Sequence, residues 1–481
     1  MESIWSKTTQ IPEKKTLMKE KNIEIAVIGG GITGLLTAYL LQQNGKEVII
    51  LEADQIGSGQ TKNTTAKITS QHGRIYASLL KDYGAEKARL YAMANQEAIE
   101  HYEKIIKKEH ISCHFERVKS YLYSREQETP ICREAEVASI LGIRAYFTKK
   151  VNLPFPIKGA VCFENQAQFH PLEFVKGIAD KLTIYEHTKV KKVKGNCLVT
   201  NQGKIYAKHI IFATHYPFHN FPGFYFARQH QERSYVIAIS GIPKWKGIYY
   251  SEDKEGLSFR WYEDNLLIGG GGHRTGEITP KDGFSCLEKK IRSLYPDYTE
   301  VARWSAQDCI THDNLPFIGQ YSIFHPNWYV VTGLKKWGMT GAMVSARLLS
   351  DKICGHYNPY EKLFSPIRCH FFISRKKLWT DIKHSIKGLS LGNFYFPFQN
   401  VHPLESGEAK IVRIGLHRYG VYKDSNGKLH KVSVKCPHLG CMLHWNPEEL
   451  SWDCPCHGSR FDYDGNLLDN PAQINTNTGK E

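Results

Sequence analysis

Residues 25–53 read IAVIGGGITGLLTAYLLQQNGKEVIILEA. The run from Ile23 to Ile28 alternates and then turns wholly apolar, the pattern of a parallel strand covered on both faces. Gly29, Gly31 and Gly34 follow as G-x-G-x-x-G. The next stretch has helical character and stops at Asn44-Gly45, a helix-ending pair. EVIILE at 47–52 is a second strand that closes on Glu52. A glycine triad alone is common. Strand, triad, helix, strand and terminal acid in this order specify a dinucleotide-binding βαβ unit. The first glycine permits the tight turn, the second lets a pyrophosphate reach the backbone, and the third lets helix and strand pack closely. The helix N-terminus attracts the phosphates. Glu52 is placed to accept hydrogen bonds from a ribose hydroxyl and to disfavour a 2′-phosphate.

Three later segments favour FAD over NAD. IIFATHYP at 210–217 ends a strand in small residues, suited to a second close approach to the nucleotide. HDNLPFIG at 312–319 precedes the strand WYVVTG at 328–333, which leads into LKKWGMTGAMVSARLLSDKI at 334–353, a glycine turn opening a helix. A helix start aimed at a flavin stabilises the negative charge of its reduced form. In this order the pieces resemble the D-amino-acid-oxidase-like (DAO) family of FAD-dependent oxidoreductases, over residues 23–355. The resemblance implies an α/β Rossmann-type FAD-binding domain with an interleaved α+β substrate domain, and an amine or amino acid as donor. It also implies FAD contacts at Gly29, Gly31, Gly34, Glu52, Thr64, Thr65, Gly333, Gly338 and Met339. The threonines lie in the polar loop GSGQTKNTTAKITSQHG at 57–73. LLIGGGGHRTGE at 266–277 lacks a helical period after its glycines and reads as a substrate-domain strand. Arg260, His273 and Arg274 are candidates to meet a substrate carboxylate, with surface or structural roles as the alternative for each. No cysteine sits in WGMT, so the covalent flavin link of some relatives is not expected there.

Near the other end, residues 435–462 read KCPHLGCMLHWNPEELSWDCPCHGSRFD. Cys436 and His438 form one pair, Cys454 and His457 another, so each loop supplies a thiolate and an imidazole. That set suits a [2Fe–2S] cluster with two cysteines on one iron and two histidines on the other. It also suits structural zinc. CPHLGC and CPCHGS together resemble the Rieske iron–sulfur domain, over about 405–475. The resemblance implies a small all-β domain, cluster ligands Cys436, His438, Cys454 and His457, and a disulfide between Cys441 and Cys456. High-potential Rieske domains carry Ser and Tyr after the last ligand. Here Ser459 is kept and Phe461 stands at the Tyr position, which implies a lower potential. The polar tail after Ala472 leaves the last strand of such a domain open.

The chain has 481 residues, 41% hydrophobic and 23% charged, enough for several folded domains. It divides into a polar N-terminal tail (1–22), the flavin region (23–355), a linker (356–404) and the cluster region (405–481). In the linker, Leu378, Ile382, Ile386 and Leu389 have helical spacing among lysines. They suggest a helix docked on the flavin domain or a basic amphipathic helix on an anionic membrane. No run is long enough to span a bilayer, and the start lacks an apolar signal core, so a cytoplasmic place is expected, with peripheral membrane contact open. The net charge is +15, and residues 401–481 hold nine Lys/Arg against ten Asp/Glu, so the excess lies in the first 400. No nucleic-acid-binding motif accompanies it. Eight of the twelve cysteines are scattered singly, as small buried hydrophobes are.

A flavin takes two electrons as a hydride and releases them singly, and a [2Fe–2S] cluster takes one. The pairing implies a flavin-dependent oxidoreductase that oxidises a small donor and passes single electrons to an acceptor, protein or quinone. The outer edges of His438 and His457 are the expected exit. The alternatives are an O₂-using oxidase with a structural cluster, or a non-enzymatic redox sensor. A Rieske oxygenase is disfavoured, because no His₂-carboxylate iron site follows.

Overall fold

The computed structural model describes residues 1–279, 281–368, 404–415 and 417–476. The helix expected around Leu378–Leu389 lies outside them, as does most of the linker.

The strand Lys21–Ile28 forms where expected and sits at the centre of an eight-stranded sheet. Val48–Leu51 and Lys204–Phe212 flank it in parallel, Thr183–Tyr185 lies beyond the first and His325–Thr332 beyond the second. Phe317–Ser322 closes one edge antiparallel. The helix Ile32–Gln43 is apolar on nearly every side because it is enclosed between this sheet and the helix Gly338–Cys354. A nine-stranded sheet forms the second domain. Its strands come from residues 67–168 and 229–311, separated by a return to the first sheet, so the two domains are interleaved. Gly269–Gly272 lie in its strand Asn265–Arg274, paired with Gln229–Ser240, as the lack of a following helix implied.

The stretch 1–22 is not a free tail. A short helix, Ile4–Thr8, buries Ile4 and Trp5, and the Trp5 indole N–H donates to Thr64 O at 2.7 Å. Leu17 is buried as well. A few large apolar groups suffice to anchor an otherwise polar segment.

The C-terminal region is all-β. Ala409–Ile414, His417–Lys423 and Leu429–Ser433 form one antiparallel sheet. His444–Asn446, Ser451–Asp453, Arg460–Asp462 and Leu467–Asp469 form another. The turn at Asn426-Gly427 is built as its sequence asks: Asp424 Oδ1 accepts from Asn426 N and Lys428 N, and Gly427 has φ +81°. The core between the sheets holds Val432, Leu443, Trp452 and Phe461 with all four clustered cysteines. The polar tail still returns to it, with Ser433 N donating to Thr476 O. Among the described residues no helix is long and apolar enough to cross a membrane.

Candidate redox site

The glycine turn lies at the carboxyl end of the strand Lys21–Ile28, against that of Lys204–Phe212. Gly29 has φ +108°, and a Cβ there would lie 2.5 Å from Ala213 O, at the end of the IIFAT strand. At Gly34 a Cβ would lie 2.0 Å from Gly29 O, so helix and turn pack with no room for a side chain. Gly31 differs. The nearest atom to its Cβ would be Thr61 Oγ1, at 3.3 Å, so the space before the helix is open. Such a cradle fits a pyrophosphate. Glu52 caps the site. Its two carboxylate oxygens accept from Gly30 N at 2.6 Å and Asp54 N at 2.9 Å, which leaves lone pairs for a ribose. Burial pushes its carboxyl up, against those bonds. Thr64 and Thr65 follow the short helix Gln60–Asn63, and Gly338 and Met339 open the helix Gly338–Cys354. Gly333, at φ +74°, lies against Thr311. These residues fit FAD and would hold it.

Beside Thr64 and Thr65 is a cleft of about 260 Å³, lined among others by Lys67, Glu232, Tyr250, Asp308, Lys336 and Trp337. Lys336 Nζ lies 3.4 Å from Asp308 and 3.8 Å from Glu232. Among the described residues, Lys67 has no such carboxylate. Burial, then the nearby Arg260 and Lys336 cations, bring its amine down to about 7. The sequence candidates for meeting a substrate carboxylate are engaged in other contacts. Arg260 is buried and donates to Thr65 O, Ala66 O, Phe169 O and Gln168, so it fixes the loop at Thr65 and is committed to these internal partners. His273 bonds to Tyr235 and to Arg274 O, and Arg274 reaches Pro455 O in the C-terminal region. The lysines were missed because nothing in their local sequence distinguishes them; the adjoining Thr65 and the WGMT turn were the only signals.

The four expected cluster ligands come together on two matching loops. Each closes with a glycine N–H donating to a cysteine carbonyl at 2.9 Å, Gly440 to Cys436 and Gly458 to Cys454, and both glycines are left-handed. The Cys436 and Cys454 thiols adjoin, and the Cys454 thiol pulls the Cys436 thiol down against its burial. The His438 and His457 rings are 4.9 Å apart and nearly perpendicular. His438 Nδ1 is buried without a hydrogen-bond partner, the state of a nitrogen whose partner is a metal. Cys441 and Cys456 are joined by a disulfide. Ser459 lies beside the Cys436 thiol, and its Oγ accepts from Ala472 N. The set fits a [2Fe–2S] cluster.

The histidine edges do not face open solvent. His438 Nε2 bonds to Asn220 Oδ1 at 2.9 Å, and the Phe226 ring meets both imidazoles edge-on. Asn220 and Phe226 belong to the flavin region, so the two domains share this wall. The rest of the junction is tight. A Cβ on Gly276 would lie 2.6 Å from Pro455 N. Gln231 Nε2 donates to His457 O and Asn470 O, and Gln307 Nε2 to Gly458 O. Arg233 pairs with Glu449 across the junction, Nε to Oε2 at 3.0 Å, and both are almost fully buried. Arg460 joins the same network at 3.0–3.1 Å from Asp453, Glu449 and Asp469.

The fold and the paired sites define a flavin-dependent oxidoreductase. The FAD dependent oxidoreductase family model (DAO) matches residues 24–352 and the Rieske [2Fe-2S] domain model residues 395–479, and the chain belongs to the DAO family, with a C-terminal Rieske domain. The family binds FAD, and the Rieske domain binds a [2Fe–2S] cluster, which settles the zinc alternative. The chain is 37% identical, over 98% of its length and 96% of the relative's, to the putative Rieske 2Fe-2S iron-sulfur protein YhfW of Bacillus subtilis. It is 24% identical to the gamma-glutamylputrescine oxidoreductase of Escherichia coli, over 71% of this chain and 85% of that one. Among solved structures it resembles the L-proline dehydrogenase of P. horikoshii, with a TM-score of 0.61 and 18% identity over 73% of this chain and 98% of that one.

Three outcomes are expected at the cluster. His457→Ala loses iron and cluster absorption while FAD is retained, because the expected flavin contacts lie on other elements; iron and flavin assays check this. Phe461→Tyr, at a fully buried position in the cysteine-containing core, raises the potential by roughly tens of millivolts if the added hydroxyl reaches a cluster sulfur. Ser459→Ala lowers it. Voltammetry belongs on the full chain, since Asn220 and Phe226 complete the cluster's surroundings; an unchanged potential in Phe461→Tyr places that ring away from the sulfurs.

Proposed function

We propose that the chain oxidises an amine or amino acid in the cleft beside Thr64, Thr65 and Trp337. Its electrons leave one at a time through the Rieske domain, to a protein or quinone acceptor. One observation carries this reading. Two neighbouring strands, Gln229–Ser240 and Thr299–Thr311, serve both sites. Gln231 and Gln307 bond to the cluster loop, while the next residues along, Glu232 and Asp308, line the cleft. Successive strand residues point to opposite faces, so cleft and cluster loop are separated by the thickness of one sheet, on the order of 10 Å. An oxidase with a purely structural cluster has no need of that arrangement. The names of the relatives, an oxidoreductase of an acylated amine and a dehydrogenase of an amino acid, agree with the donor class.

When bound, FAD would supply two-electron acceptance and one-electron release, and a [2Fe–2S] cluster would supply one-electron transfer. The residues position and neutralise. Glu52 and the glycine turn would hold the nucleotide, Arg260 fixes the loop at Thr65, and Lys336 balances Glu232 and Asp308. Lys67 is left to receive an anionic group of the donor.

Anaerobic mixing of the purified protein with amines and amino acids tests the reading: flavin bleaching followed by cluster reduction is expected. A donor screen that never bleaches the flavin would overturn it. Peroxide formation at the wild-type rate in His457→Ala would favour the oxidase instead. The Lys67 amine adds a pH dependence. It is protonated below about 7 and attracts anions there, so benzoate is expected to bind progressively more weakly as pH rises through about 7. Lys67→Met should bind it weakly throughout, with a flat profile, as followed by flavin absorbance.

A further inference from the structure

The wall shared by the two domains has an outer side. Phe226, which touches both cluster histidines, is in ring contact with Phe221 at 6.0 Å and Phe224 at 6.1 Å. Those two rings pack on each other at 5.1 Å and are 57% and 46% exposed. Leu439, next to His438, is also exposed. A second exposed apolar pair, Ile323 and Phe324, sits in the hairpin whose His325 stacks on Trp328, and Trp328 in turn meets His219. Folding does not require these side chains to face water, and an exposed aromatic group over a redox centre is the form of an interaction site.

The surroundings are basic. Lys191, Lys192 and Lys194 are exposed on the strand Val190–Lys194. The Lys192 charge reaches His219, and the adjoining Gly195 O accepts from the Trp328 indole. Lys435 is exposed beside the first ligand loop. The four segments that frame the patch, 189–196, 218–228, 321–328 and 435–443, contain no Asp or Glu.

We propose that this face, with Phe221 and Phe224 at its centre and lysines at its rim, docks an acidic one-electron carrier protein. The aromatic chain Phe221/Phe224–Phe226–His438/His457 leads from the carrier to the cluster. In the step, one electron leaves the reduced cluster, which returns to its all-ferric state, and reduces the oxidised carrier; no bond forms or breaks. An apolar centre that excludes water with a charged rim that steers encounter is the usual division of labour at such contacts. The inference rests on the reading that electrons leave through the cluster, but its test does not depend on the donor.

The test uses the full chain with both cofactors, reduced with dithionite, and two carriers of higher potential than the cluster: an acidic blue-copper protein and a basic c-type cytochrome. The acidic carrier is expected to bind and to be reduced quickly at low salt, and more slowly at physiological salt. Phe221→Ser/Phe224→Ser and Lys191→Glu/Lys192→Glu should each weaken its binding by roughly tenfold or more, with cluster and flavin spectra unchanged. Binding of the oxidised carrier, measured by fluorescence anisotropy, gives a readout independent of turnover. Equal affinity in the variants, or faster reduction of the basic cytochrome, would overturn the proposal. So would flotation with anionic vesicles that is lost in the phenylalanine variant while carrier binding is kept, which would assign the face to a membrane. Failure of every amine and amino acid to reduce the flavin would count against the proposed donor and leave this result standing.

Discussion

Gly31→Val is expected to yield a folded chain that carries its iron–sulfur cluster and almost no FAD. The contrast with its neighbours makes the case. A side chain at Gly34 would meet Gly29 O at 2.0 Å and one at Gly29 would meet Ala213 O at 2.5 Å, so substitution there damages the fold itself. Gly31 has an extended backbone, φ −74° and ψ 173°, that any residue adopts, and only the Thr61 hydroxyl lies near its Cβ direction, at 3.3 Å. The valine is therefore accommodated by the protein and fills the space that a pyrophosphate needs. Acid-released flavin per chain should fall by roughly tenfold or more, while far-UV circular dichroism and iron content hold. Normal FAD content in this variant would mean that the glycine turn does not hold the pyrophosphate.

The second large effect is expected at the domain junction. Arg233→Leu removes one of the two guanidiniums that hold the buried Glu449. Burial pushes that carboxyl up, but Arg233, Arg460 and the Ser305 hydroxyl outweigh it and keep it at about 2. With Arg233 gone, Glu449 is left with Arg460 and the Ser305 hydroxyl across a partly emptied space. Breaking a buried pair from one side costs about 3–5 kcal/mol, and the retained Arg460 contact should keep the loss near the lower figure. The pH dependence has a definite sign. A carboxyl held below its unfolded value stabilises the fold above about pH 4 and loses that contribution as pH falls toward 2. In Arg233→Leu the carboxyl titrates higher, so acid unfolding should begin at a higher pH than in the wild type. Urea titrations at neutral and mildly acid pH check both statements. An unshifted midpoint would mean that the junction is held by Gln231, Gln307 and the close packing at Gly276 alone.

The parts of this molecule that were legible in the sequence are those whose chemistry is local. The βαβ unit is written in 28 or so consecutive residues because turn, helix start and strand end are neighbours along the chain, roughly as such units require. The cluster loops are equally compact, and Ser459 stands where a loop template puts it. What could not be read depends on residues far apart. Arg260 resembles a carboxylate binder until its contacts are known; its partners are carbonyls of residues 65, 66 and 169, which no spacing rule connects to it. Arg233 and Glu449 are separated by 216 positions. The N-terminal segment looked like a tail because its composition is polar, yet the anchoring rests on individual groups, Trp5 above all, and not on the average. The cleft lysines fall in the same class: Lys67 and Lys336 acquire their meaning only when two distant loops face each other.

The shared wall also bears on how the protein is made. Asn220 and Phe226 cover the imidazole edges, Gln231 and Gln307 hold the backbone of the second ligand loop, and Gly276 leaves no gap beside Pro455. Cys436 and Cys454 are already buried in the core of their own domain, and the flavin region closes over the histidine side as well. The expected order of assembly is therefore insertion of iron and sulfide first and closure of the two halves second.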